Sequence, residues 1–224
     1  MVVISKEPQI REKFEGFLSN YKKIYYFIDD LEKKGIDIIL FGGIVRNYYE
    51  NNFSEKPRDI DIVLHSCIDF DFEKYLELNN YSYYINKFGG YKLELDELNI
   101  DIWSIEKTWA FKENIITFRN LKDLNKTVFL STDAIFYNFT SKQLFDNGFL
   151  ESIQKKEIDI VLEKTPFPEI NLVKAFYLKN KFNLNFSSDL SNYYSQWLSK
   201  KENKRLAIEE LNLLSNKRYG CKIL

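Results

Sequence analysis

Residues 58–64 read Arg-Asp-Ile-Asp-Ile-Val-Leu, and this segment constrains the chain more than any other. Its apolar, β-branched residues make it a core strand. Side chains alternate along a strand, so Asp59 and Asp61 project from one face while Ile60 and Ile62 project from the other. Two carboxylates side by side on such a strand repel each other unless a cation stands between them. Oxygen donors of this kind suit a hard divalent ion, Mg²⁺ or Mn²⁺.

The flanking sequence supplies what an ion alone would not. Ile36–Phe41 is a short β-branched run closed by Gly42-Gly43, and Ile44–Glu50 continues as a helix. A glycine pair at a strand-to-helix turn lets backbone approach a phosphate closely and aims helix-start amides at it. Arg46, one turn into that helix, presents a planar fork to phosphate oxygens, and Arg58, just before the acid pair, is a second phosphate contact or a neutraliser of the pair. A third acid, Asp101, lies in Asn99-Ile-Asp-Ile-Trp103, another apolar strand. If the two strands are neighbours, three carboxylates converge, enough for the two ions that clamp an in-line phosphoryl displacement. The expected catalytic and metal set is Asp59, Asp61 and Asp101; the expected nucleotide set is Gly42, Gly43, Arg46 and Arg58.

Coarse periodicity gives an α+β protein. Apolar residues spaced by three and four predict one helix over residues 10–34, ended by Gly35. Residues 71–78 read as a helix. Residues 81–88, 91–95 and 99–105 read as strands, the first two joined by the Gly89-Gly90 hairpin signal. From about residue 130 the pattern turns helical, over 133–140, 168–182, 189–199 and 202–214. The division expected is a head of residues 1–130 and a helical part of 131–224, with no Gly/Ser/Pro linker between them.

With 224 residues and a net charge of −1, the chain has no global basic field for non-specific nucleic-acid binding. Cys67 and Cys221 have no metal-ligand spacing and read as two reduced thiols. No secretory signal and no apolar run of about 20 residues is present, so the expectation is a cytoplasmic protein with no membrane partner. The plain readings of the remaining candidates are structural: His65 at a strand end, Trp103 and Trp109 in core packing, and Lys87, Lys92, Lys174, Lys179 and Lys181 as solvated cations; Arg119, beyond the core sheet, is a weaker phosphate candidate.

Gly42-Gly43-Ile44-Val45-Arg46-Asn47 followed by Arg58-Asp59-Ile60-Asp61 resembles the head-domain signature of the DNA polymerase beta nucleotidyltransferase superfamily. The nearest branch is the tRNA nucleotidyltransferase (CCA-adding) and bacterial poly(A) polymerase group. The resemblance implies a mixed, mostly antiparallel sheet flanked by helices and followed by a small helical domain. It implies that Gly42 and Gly43 help hold a nucleoside triphosphate, that Asp59 and Asp61 hold Mg²⁺, and that Asp101 is the family's later strand acid. Asp133–Asn138, Leu144–Asp146 and Leu172–Phe182 follow the order of the family's neck. The family's Arg-Arg-Asp motif falls on Thr127-Val128-Phe129, and its Glu-Asp-x-x-Arg motif falls on Phe167-Pro168-Glu169-Ile170-Asn171; neither is present. The chain ends about where the family's tRNA-gripping body would begin.

The resemblance therefore carries metal and triphosphate machinery, not base selection or tRNA handling. It implies transfer of a nucleoside monophosphate from a nucleoside triphosphate to an acceptor hydroxyl of RNA, a small molecule or a protein. The competing expectation is a non-catalytic nucleotide-sensing or partner-binding module of the same fold, for example in a toxin–antitoxin or defence system, with the helical half meeting a partner protein.

Overall fold

The computed structural model describes residues 3–66 and 70–224. It is α+β and divides into two compact units. The first comprises the chain up to Thr127 together with Ile135–Asn147, and the second Val128–Ala134 with Gly148–Leu224.

In the first unit β1 (Val3–Lys6) leads into α1 (Pro8–Leu18) and α2 (Lys22–Lys33). The single helix expected over residues 10–34 is thus two. The buried stripe of α1 is Ile10, Phe14 and Leu18, and that of α2 is Ile24, Phe27, Ile28 and Leu31. At about 100° per residue, Ile24 falls well off the line of Leu18, so an unbroken helix would bury only one of the two stripes. The chain turns at Ser19-Asn20, where the Ser19 hydroxyl donates to the Gly16 carbonyl (2.7 Å). Arg11 ties the two helices together, donating to Glu15 at 2.8 Å and to Glu32 at 3.1 and 2.9 Å.

β2 (Asp37–Phe41) runs into α3 (Gly43–Asn51), followed by β3 (Asp59–His65) and α4 (Phe72–Leu78). β4 (Tyr83–Ile85), β5 (Tyr91–Leu95) and β6 (Leu98–Ser104) follow, then the short α5 (Trp109–Lys112). β7 (Ile135–Asn138) and β8 (Gln143–Asp146) complete the unit's sheet. Its eight strands run in the order β1-β8-β7-β2-β3-β6-β5-β4. Every neighbouring pair is antiparallel except β3 with β6, so the mixed, mostly antiparallel sheet is found.

The helix expected over residues 133–140 is instead a single 3₁₀ turn followed by β7, all four of whose residues are buried. The four residues Ile-Phe-Tyr-Asn are too few to show a readable period, and their place between β2 and β8 decides them. This strand and β8 return to the sheet, so the boundary expected at residue 130 does not divide the chain cleanly.

A 3₁₀ segment, Leu121–Lys126, starts with a capping box in which Asp123 accepts from the Arg119 and Asn120 amides (3.0 and 3.2 Å) and from Lys126 Nζ (2.8 Å). Burial disfavours the Asp123 carboxylate, but these donors outweigh it and hold the carboxyl below its usual range. A depressed folded-state value stabilises the fold above the unfolded value, and that gain is lost as pH falls through the folded value. Asp123→Asn is expected to cost about 1–2 kcal/mol at pH 7. In urea titrations the gap from wild type should close below about pH 4; a gap unchanged at acid pH would contradict this.

The second unit holds α6 (Phe149–Lys155), β9 (Glu157–Ile158), α7 (Pro168–Phe182), β10 (Asn185–Phe186), α8 (Ser188–Ser199) and α9 (Lys204–Tyr219). Leu130, Ile158, Ala175, Leu178 and Leu190 form one core cluster, and Val173, Phe176, Leu211 and Ile223 another. Helix α9 runs past the expected residue 214 to Gly220, whose positive φ of 71° closes it. Cys221 is a free, exposed thiol; Cys67 lies outside the described residues. No helix among them is long and apolar enough to cross a membrane.

Candidate active site on one face of the sheet

The parallel pairing of β3 with β6 sets Asp61 opposite Asp101, and Asp59 opposite Asn99. Partner residues on neighbouring strands share a face about 4.8 Å apart. Asp59, Asp61 and Asp101 therefore lie on one face, and Ile60, Ile62, Ile100 and Ile102, all within 1% of full burial, lie on the other. Strand alternation thus makes one surface polar and the opposite one core.

The glycine bend lies at the same end of the sheet. Strands β2 and β3 are antiparallel, with Leu40 opposite Ile62, so the end of β2 stands beside the start of β3. Gly42 adopts φ 59° and ψ −108°, backbone open essentially to glycine alone. Its amide donates to the Ile135 carbonyl at 2.8 Å, anchoring the bend to β7. Gly43 opens α3. A Cβ there would meet Arg46 Nη2 at 3.5 Å, so the Arg46 guanidinium lies directly over the helix start. The sheet register and the bend thus bring Gly42, Gly43 and Arg46 to the end of the sheet that carries Asp59.

Asp59 and Asp101 each have a basic partner. Arg58 Nε and Nη2 donate to Asp59 Oδ2 at 3.0 and 2.6 Å. Lys92 stands opposite Asp101 across β5–β6 and lies 2.8 Å from Oδ1 and 2.9 Å from Oδ2. Only the Oδ2 contact has hydrogen-bond direction, and buried Oδ1 accepts none. Burial pushes the Lys92 ammonium down, but the hydrogen bond and charge of Asp101 outweigh it and raise its pKa. Among the described residues, no three His, Cys, Asp or Glu side chains stand gathered as a metal-holding group. The donor type and shared face suit a divalent ion, and so does the buried Oδ1. The side chains as they stand give Asp59 and Asp101 basic partners instead.

The row Asp61–Asp101–Lys92–Tyr84 runs straight across β3, β6, β5 and β4. Beside it is a cavity of about 520 Å³, whose walls include Arg58, Asp59, Tyr84, Lys92, Glu94 and Asp101. Sequence reasoning missed this cavity and the Lys92 partnership. The signal was the Leu95-Asp96-Glu97-Leu98 turn, which fixes Lys92 opposite Asp101; both turn residues have positive φ without being glycine or asparagine.

The other candidates lie elsewhere or have local partners. His65 sits at the far end of β3, about 20 Å from Asp59 along the strand, with Nδ1 3.5 Å from Asp37. Trp103 packs edge-on against Phe41 and donates to Thr108. Arg119 donates its backbone amide to Asp123. Lys87 lies over the Phe88 ring, and Lys179 and Lys181 lie over Phe186 and Phe182. Lys174 pairs with Asp133 at 2.7 Å.

No protein-family model matches this chain, and no curated protein matches it by sequence. Solved structures do. A CCA-adding enzyme from Thermotoga maritima complexed with tRNA aligns over 98% of this chain and 54% of its own, with TM-score 0.63 and 16% identity. A tRNA-processing enzyme with CTP aligns over 83% of this chain and 50% of its own, with TM-score 0.58 and 18% identity. A tRNA nucleotidyltransferase complexed with a primer tRNA and an incoming ATP analogue aligns over 84% of this chain and 60% of its own, with TM-score 0.52 and 16% identity. The chain thus spans about half to three fifths of the length of these structures, and its fold is that of the polymerase-beta-type nucleotidyltransferases.

Proposed function

From a chain with the polymerase-beta-type nucleotidyltransferase fold, we propose an enzyme that transfers a nucleoside monophosphate from a nucleoside triphosphate to an acceptor hydroxyl and releases pyrophosphate. The observation that carries this reading is the placement of Asp59, Asp61 and Asp101 on one face of paired strands, at the sheet end that holds the Gly42-Gly43 bend. A fold needs no carboxylates on neighbouring core strands for its stability; a polyphosphate reaction does.

Asp59 and Asp61 are the residues that would hold Mg²⁺ or Mn²⁺. When bound, the ion supplies charge stabilisation at the phosphoryl oxygens undergoing displacement. The helix start at Gly43 and the Arg46 fork receive the polyphosphate. Arg58 turns from Asp59 to the anionic substrate as the carboxylate is taken up. The neighbouring structures with CTP, an ATP analogue and tRNA support a nucleoside triphosphate as donor and an RNA 3′ hydroxyl as the first acceptor to test.

One observation favours a second reading. Arg58 and Lys92 already pair with Asp59 and Asp101, as befits a module that binds nucleotide without turnover. The two readings separate when the chain is incubated with each α-labelled triphosphate, Mg²⁺ or Mn²⁺, and total RNA, small-molecule or protein acceptors. The enzyme reading expects label on one acceptor class with stoichiometric pyrophosphate. Calorimetric binding of a triphosphate without pyrophosphate release would leave the sensor.

A further inference from the structure

Asp61 and Asp101 are direct neighbours across parallel strands, an arrangement that repels unless a cation intervenes. At Asp101 that cation belongs to the chain: Lys92 is its partner on the next strand, within 2.9 Å of both carboxylate oxygens.

We propose that Lys92 is a built-in counter-ion occupying Asp101 in the resting protein, so that Asp101 takes part in holding a divalent ion only when the ammonium is displaced. This rests on the reading that Asp59 and Asp61 take a divalent ion. Three features carry it. The pairing is fixed by register, because the tight turn at Asp96-Glu97 forces Lys92 opposite Asp101. Lys92 lines a cavity of about 520 Å³ with Tyr84, which gives its ammonium somewhere to go. A lysine is a point charge on a four-carbon stem with freely turning donors, so its ammonium can swing from the carboxylate into that space. Lys92 is thus a positioning residue that sets whether Asp101 is available.

Binding of Mn²⁺ to the full chain, followed by electron paramagnetic resonance and by calorimetry, tests this without any turnover. Wild type is expected to bind one equivalent, weakened at least tenfold by Asp59→Asn and changed less than twofold by Asp101→Asn. Lys92→Met is expected either to tighten binding at least tenfold or to add a second equivalent, and adding Asp101→Asn should abolish that gain. Lys92→Gln should behave as Lys92→Met does, and Lys92→Arg, which keeps the charge, should stay within twofold of wild type. Circular dichroism melts identify any variant that fails to fold.

Equal Mn²⁺ affinity and stoichiometry in wild type, Lys92→Met and Lys92→Gln would overturn the proposal while leaving the metal reading intact. So would Asp101→Asn in the wild-type background weakening binding as much as Asp59→Asn does. If neither wild type nor Lys92→Met binds Mn²⁺, and Asp59→Asn changes nothing, the metal reading itself has failed and this inference falls with it.

Discussion

Asp59→Asn and Asp61→Asn are each expected to lower nucleotidyl transfer by about three orders of magnitude, with the protein still folded. The estimate follows from the several kcal/mol of transition-state charge stabilisation that a bound divalent ion contributes, at about 1.4 kcal/mol per factor of ten. Asparagine keeps the shape and one acceptor oxygen of aspartate but not the charge that retains the cation, so the loss should appear in turnover. Both side chains are half-buried on the polar face and outside the apolar core. Each variant should therefore unfold in urea within about 1 kcal/mol of wild type. Label transfer from an α-labelled triphosphate, read beside a urea curve of the same sample, makes the comparison. A double variant that turns over at the wild-type rate would remove the carboxylate mechanism. Loss of turnover accompanied by collapse of the urea midpoint would mean that the acids are structural.

The parts of this site legible in the sequence are those whose geometry is local. An Asp-x-Asp pair in a strand shares a face whatever surrounds it, and a diglycine between a β-branched run and a helical one is a bend whatever packs on it. The convergence of Asp101 on that pair was a conditional expectation, and the β3–β6 pairing meets the condition. The rest depends on pairing between distant segments. Lys92 reads as a solvated cation until β5 is folded back on β6 by a turn that lacks the usual Asn-Gly signal. Residues 135–138 read as helix because so short a segment has no period of its own, and only the sheet partners on either side make it a strand. The same strand upset the boundary near residue 130, since β7 and β8 belong to a sheet whose other strands lie earlier in the chain. The break within residues 10–34 was present in the phase of the buried residues, but the spacing of the apolar positions concealed it.

Strand β3 offers the complementary test, because its two faces separate chemistry from stability. Ile62 is fully buried on the face opposite Asp61 and lies between Leu40 of β2 and Ile102 of β6. Ile62→Ala leaves a cavity in a central strand of an eight-stranded sheet, and such truncations cost about 2–5 kcal/mol. Against a total stability of roughly 5–15 kcal/mol for a typical domain, this is a large fraction of what holds the fold together. Ile62→Val removes one methylene and should cost about 0.5–1.5 kcal/mol. The graded pair distinguishes lost packing from a shift of register. A packing loss lowers the urea midpoint in proportion to the volume removed and leaves the slope unchanged. A register slip would flip Asp59 and Asp61 onto the core face and prevent folding altogether. Once corrected for the fraction folded, transfer activity of both variants should equal that of wild type, because neither alters the polar face. If Ile62→Ala matched wild-type stability, Ile62 would not face the core, and the alternation that places Asp59 and Asp61 together would be wrong.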